Sequence, residues 1–139
     1  AETAAVMNNV STNYYKPQLG FGIDILAQNA NSGFYNSTSA ETLLETLSAR
    51  GPTSGLGDPD LYHLFVGKDM DGSTVGLAYV GVICDPSASS FKTGLSQFLF
   101  NQAVTTSIVA HEIGHNFNAN HDENSPGSVM FPSVSNPPA

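Results

Sequence analysis

The chain has no tryptophan, one cysteine and only four lysines and arginines among its 139 residues. A lone Cys84 cannot close an internal disulfide, so cysteine usage says nothing about redox compartment. Twelve acidic residues stand against the four basic ones, for a formal charge of −8. That charge repels phosphate backbones and anionic lipid and makes nucleic acid a poor partner. No apolar run approaches the ~20 residues needed to cross a bilayer, so no membrane span is expected in this chain. The opening AETAAVMNN has neither the basic nor the hydrophobic region of a signal peptide; if the protein is exported, its signal is expected to have gone already. No internal repeat is visible.

What remains is an ordinary apolar fraction of 40% with few charges, and much of the polarity resides in Ser, Thr and Asn. This is the composition of a globular chain, and its length suits a single domain over 1–139. The one compositional shift, toward Ser, Asn and Pro, follows His121 and separates a regular front portion from an irregular tail. Two sequons, at Asn9 and Asn36, fit an exported protein but also arise by chance.

Val6, Val10 and Tyr14 recur every four residues up to Lys16-Pro17, which predicts an amphipathic helix ended by proline. Leu19, Phe21, Ile23 and Ile25 then alternate with Gly and Asp, the period of a strand with one buried face. A second helix is expected from a Thr38 cap, with Glu41 reaching back, Leu43, Leu44 and Leu47 inward, and a stop at Arg50-Gly51-Pro52. Leu61 to Val66 reads as a strand covered on both faces, with His63 a core residue holding one hydrogen bond. Asp69-Met70-Asp71-Gly72 lacks the later glutamate of a calcium loop and reads as a plain turn. Val75 to Ile83 reads as a further strand, and Asn101 caps a last helix running to about Phe117. Tyr14, Tyr15 and the strand aromatics are read as packing. The mixture defines an α/β (α+β) domain.

The last helix and the residues after it, AHEIGHNFNANHDE from Ala110 to Glu123, hold three of the four histidines in eleven positions. His111 and His115, four apart, bring two imidazoles to one helical face, as a tetrahedral zinc ion requires of two ligands. Two surface histidines would fit the same spacing. Glu112, one residue on, lines the same cavity and can accept a proton from metal-bound water. His121 can join them only if the helix ends at once and the chain doubles back, which demands a positive φ just after Phe117. Glycine would normally stand there. Asn118 does, and its short amide makes it the best substitute in the left-handed region.

HEIGHNFNANHD, Met130 in GSVMFPS and the upstream GLAYVGVICD together resemble the adamalysin or reprolysin branch of the metzincin zinc endopeptidases. The signature HExxHxxGxxHD with a downstream methionine turn is matched except at Asn118. The resemblance covers about Asp60 to Val134 well, and the first fifty residues only as a pattern of elements. It implies a zincin-like catalytic domain whose mixed sheet and active-site helix form an upper part, 1–121, followed by a short lower part, 122–139. It further implies Zn2+ held by His111, His115 and His121, Glu112 as general base, Met130 as the floor beneath the metal, and Asp122 in a structural role, anchoring the lower part of the site to the body. Relatives are usually longer, with a strand before the first helix and a helix after the methionine turn. The chain is therefore either a portion of a larger domain, completed by another chain, or without those elements. A cysteine at the place of Cys84 usually pairs in relatives; here a small, partly buried free thiol is the first reading and a mixed disulfide with a missing segment the second.

Zinc with three neutral imidazoles leaves a position for water, whose attack on a peptide carbonyl Glu112 would assist, with no covalent enzyme intermediate. If the strand beginning at Val75 is the sheet's edge, Gly76, Leu77 and Ala78 can pair with an extended substrate, with Gly76 and Gly81 giving clearance. By resemblance, Phe131, Pro132, Ser133 and Val134 wall the pocket after the cleaved bond, and a medium or bulky apolar side chain is expected there. The resemblance also implies a secreted enzyme kept silent by a propeptide. A silent zinc adhesion module and an incomplete, inactive fragment are the competing readings, and Glu112 weighs against the first of these.

Overall fold

The computed structural model describes residues 2–30, 33–83 and 85–133. The expectations for Cys84 and Val134 therefore lie outside the described residues.

The helix that carries the histidines, α4, spans Gln102–Asn116, where the sequence places it. The side chain of Asn101 caps it by accepting from the amides of Ala103 (2.9 Å) and Val104 (3.3 Å), two donors that a helix start leaves unpaired. Ile108, Val109, Ala110 and Ile113 are fully buried. Val109, Ala110 and Ile113 pack against Val6, Met7, Val10 and Tyr15, and the Tyr15 hydroxyl donates to the Ala110 carbonyl at 2.8 Å.

These N-terminal residues belong to helix α1, Glu2–Asn9, which continues through a π-helical stretch, Val10–Tyr15, into α2, Lys16–Leu19. The helix thus does not stop at Pro17. The wider π turn restarts the hydrogen-bond register, so Pro17 falls in the first turn of α2, where no amide donor is required. The chain leaves the helix at Gly20 instead, at φ 77°.

The strand expected over Leu19 to Ile25 is not formed, and Leu19, Phe21 and Ile25 are exposed. Alternation supplies a sheet face only when a neighbouring strand takes up the backbone groups. Among the described residues none does. The Ile23 amide donates instead to Ser11 Oγ (2.9 Å), and the Phe21 ring rests against Tyr15 and Phe117.

Helix α3, Ala40–Arg50, has the expected length, but Ser39 rather than Thr38 is its cap. Ser39 Oγ accepts from the Thr42 amide (3.3 Å) and donates to Glu41 (3.2 Å). Thr38 donates its hydroxyl to Asp71 (2.7 Å) across the chain. That bond helps tie down the 69–72 turn, whose other aspartate, Asp69, accepts from Gln97.

The sheet has three strands, β1 (Tyr62–Val66), β2 (Gly76–Ala78) and β3 (Thr93–Gln97), in the order β1-β3-β2. β1 runs parallel to β3 with Leu64 opposite Leu95, and β2 antiparallel with Leu77 opposite Leu95. Alternation directs Leu64, Val66, Leu77 and Leu95 toward Leu43 and Leu44 of α3, and the opposite face toward α4. The strand expected over Val75 to Ile83 is only three residues long. After Ala78 the chain turns onto the end of α4: the Gly81 amide donates to His115 O (2.8 Å), and those of Val82 and Ile83 to Asn116 O (3.0 and 3.2 Å).

The central strand β3 was not anticipated. Its sequence, TGLSQ, offers one large apolar residue, yet every position is buried. Each polar side chain has a partner inside: Thr93 with Ser48 (3.0 Å), Ser96 with His63 (2.9 Å), and Gln97 with the Met70 amide (3.0 Å) and Asp69. His63 has the single hydrogen bond expected of it, and burial pushes it down to about 3, so it is neutral.

Leu95→Ala is expected to cost about 2–5 kcal/mol, the usual range for truncating a fully buried leucine. Leu19→Ala should stay within about 0.5 kcal/mol, because Leu19 is exposed. Urea unfolding of the two variants checks both.

Candidate metal centre

Helix α4 presents His111 and His115 one turn apart. Carbonyl oxygens can only accept, so each Nδ1 carries the proton it shares: His111 Nδ1 donates to Val129 O (2.7 Å) and His115 Nδ1 to Ala119 O (2.8 Å). The Nε2 lone pairs of both rings are thereby left to face the centre. Burial holds both histidines below their usual pKa, opposed by these carbonyls and helped by the neighbouring rings. Neutral imidazole, the ligating form, is favoured.

The helix ends in a double hydrogen bond. The Asn118 amide donates to His115 O (2.9 Å) and the Ala119 amide to Gly114 O (3.0 Å), the pattern that closes a helix on a left-handed residue. Asn118 has φ 74° and is the one non-glycine residue with positive φ among those described, as the sequence required. The reversal carries His121 back over the helix.

The three Nε2 atoms then form a nearly equilateral triangle with sides of 3.1, 3.2 and 3.2 Å. This triangle cannot be a set of mutual hydrogen bonds, because His111 and His115 both point lone pairs inward. Ligands at ~2.0–2.1 Å around a tetrahedral ion stand about 3.3 Å apart, so the arrangement fits zinc closely. Among the described residues, these three histidines are the one group of three that could hold a metal ion.

Glu112 points from the same helix toward the sheet and is buried. A Cβ added to Gly76 in β2 would lie 2.3 Å from its Oε1. Burial pushes Glu112 up to about 8. Among the described residues its carboxylate has no hydrogen-bond partner.

The clearance at Gly76 is thus occupied by Glu112, and that at Gly81 by Asn118, whose Oδ1 would stand 2.8 Å from an added Cβ. The expectation that these two glycines open room for a substrate is corrected accordingly. β2 does lie at the sheet's edge. Hydrogen bonds from Gln97 N to Val75 O and from Tyr79 N to Thr93 O (2.8 and 3.3 Å) turn the odd-numbered residues toward β3. The backbone groups of Gly76 and Ala78 consequently face the open edge, whereas Leu77 is committed to β3 and to the α3 cluster.

Met130 is buried beneath α4, close enough that a Cβ on Gly114 would fall 2.5 Å from its sulfur. Asp122 joins the third histidine to this methionine through its amide, which donates to Met130 O (2.9 Å), and its side chain accepts from the Asn124 amide (3.3 Å). Its bonds stay within the lower segment. Pro132 and Ser133 are exposed just beyond Met130. The carbonyls of Val129 and Ala119, which aim two of the rings, had no signal in the sequence, since a backbone oxygen is independent of residue type. Asn116 was also missed: fully buried, it donates to Tyr79 O (2.9 Å) and Thr93 O (3.0 Å) and fastens α4 to the sheet.

Paired helical histidines occur in many zinc domains. A third delivered from beyond an immediate reversal, over a buried methionine, marks a narrower class, the metzincin-type metallopeptidases. The comparison with known families agrees: residues 3–136 match the metallo-peptidase family M12B, reprolysin-like, and the chain belongs to that family. Peptidases of this family use zinc. In an alignment 86 positions long that covers 58% of the chain, it is 38% identical to the snake venom metalloproteinase atroxlysin-1 of Bothrops atrox, of whose length it spans 41%.

Zinc removal by a chelator should lower the melting temperature and zinc should restore it, because an ion bound only by the folded form stabilises it; His121→Ala should abolish most of this response. Asn118→Gly should keep or raise the melting temperature, since glycine takes positive φ without a Cβ penalty. Thermal melting with and without metal reads all three.

Proposed function

We propose that this chain is the zinc endopeptidase portion of a secreted protein and that it hydrolyses peptide bonds in extended polypeptides. The observation that carries this reading is the convergence of three imidazoles, those of His111, His115 and His121, on one point, with the Glu112 side chain of the same helix largely buried against Gly76. A module that used the metal only as a staple would have no need of a carboxylate held there, which disfavours the adhesion reading.

His111, His115 and His121 would hold the zinc, which would supply Lewis acidity for a water and for the carbonyl under attack. Glu112 takes the proton from the attacking water and passes it to the departing amine. A dication held by the histidines would favour the ionised carboxylate against the upward push of burial. Met130 closes the floor of the centre, Asn118 makes the reversal, and Asp122 holds His121 and Met130 in register.

The substrate strand pairs with the outward backbone groups of Gly76 and Ala78. Leu77 stays in the core in this arrangement. Phe131, Pro132 and Ser133 line the pocket beyond the cleaved bond, with Val134 next in sequence. Among the described residues no helix is long and apolar enough to cross a membrane. The relative's venom origin and the acidic surface support an extracellular place, and a propeptide remains part of the reading.

Glu112→Gln should retain zinc and lose peptide hydrolysis by about a hundredfold or more, the range for removing a general base. The check is incubation with a mixed peptide library, with and without chelator, read by mass spectrometry. Cleavage at the wild-type rate by the variant, or cleavage indifferent to the chelator, would refute the reading.

A further inference from the structure

We propose that Gly76 is a positioning residue for Glu112: its missing side chain is the notch in the edge strand that holds the carboxylate beside the three-histidine centre. This rests on the reading of Glu112 as the base. It assigns Gly76 a role distinct from pairing with substrate.

The fit is close at this one position. A Cβ on Gly76 would lie 2.3 Å from Glu112 Oε1 and 2.8 Å from both Cδ and Cγ, well inside van der Waals separation. All three atoms belong to the acid end of Glu112, which can swing, and none to the backbone. Ala78, two residues along on the same face, carries its Cβ toward Gly94, where an added Cβ would be 3.3 Å away. The notch is therefore local to Gly76 and is not a general thinness of β2. Glu112 is buried and has no hydrogen bond among the described residues to fix its rotamer, so the Gly76 backbone is one of the walls that limit it.

The backbone amide and carbonyl of Gly76 face the open edge of the sheet, away from β3. One residue thus meets the base through its Cα and would meet an extended peptide through its N–H and C=O. The register of the peptide and the position of the proton acceptor are then set by the same residue, which is the positioning a peptide bond needs before water can add.

The fold should tolerate Gly76→Ala, because the clash is with a movable side chain. Zinc content, measured by atomic absorption, should stay at the wild-type level. KM should change less than about threefold while kcat falls about a hundredfold, as misplacing a reacting group by ~1 Å can cost. A second readout needs no activity: Gly76→Ala should lower the melting temperature in the wild-type background, and leave it unchanged or raise it in Glu112→Ala, where alanine is otherwise preferred to glycine in a strand. If Gly76→Ala fails to fold, folding of the double variant supports the proposal and its failure to fold overturns it. An equal melting shift in both backgrounds, or an unchanged kcat, would also overturn it. Should the wild-type chain cleave nothing, the peptidase reading falls, and the melting cycle still decides whether the notch exists for the carboxylate.

Discussion

The reversal of the chain over Phe117, Asn118 and Ala119 governs the centre. Two imidazoles on a helix are placed by the helix itself, but a third six residues after His115 lies beyond its stripe. Only a backbone that enters the left-handed region immediately can bring it back. Asn118 does so at φ 74°, and the amides of Asn118 and Ala119 close on the carbonyls of His115 and Gly114. The same turn leaves the Ala119 carbonyl where it can accept from His115 Nδ1, so ligand delivery and ligand orientation come from one short segment.

The rest of the molecule holds that turn in place. The segment after β2 donates three amides to the carbonyls of His115 and Asn116, and the Asn116 side chain returns two hydrogen bonds to Tyr79 and Thr93. Helix end and sheet edge are therefore one unit. Met130 against Gly114 and the Asp122 amide on Met130 O complete the support from below. A substrate paired along β2 would lie on a strand already fastened to the metal helix.

The histidine pair, the need for a positive φ after Phe117, the cap at Asn101 and the span of α4 were all legible in sequence because each depends on a few neighbouring residues. So were α3, apart from its cap, and β1. Readings that needed a distant partner did less well. Leu19 to Ile25 has the alternation of a strand but no neighbour among the described residues. Pro17 marks a helix end only when the preceding register is α rather than π. Val75 to Ile83 is apolar enough for a long strand, yet its second half serves as a cap for α4.

The sequence by itself determined the histidines, their spacing and the side-chain chemistry they offer, because residue identity and helical period decide those locally. Tertiary structure alone decided that a polar segment, TGLSQ, would be the central strand, since its serine, threonine and glutamine become affordable inside only when Ser48, His63, Met70 and Asp69 meet them there. It also decided which groups fill the spaces left by Gly76 and Gly81. A glycine in a sequence announces room, but only the packing of a helix against a sheet says what occupies it.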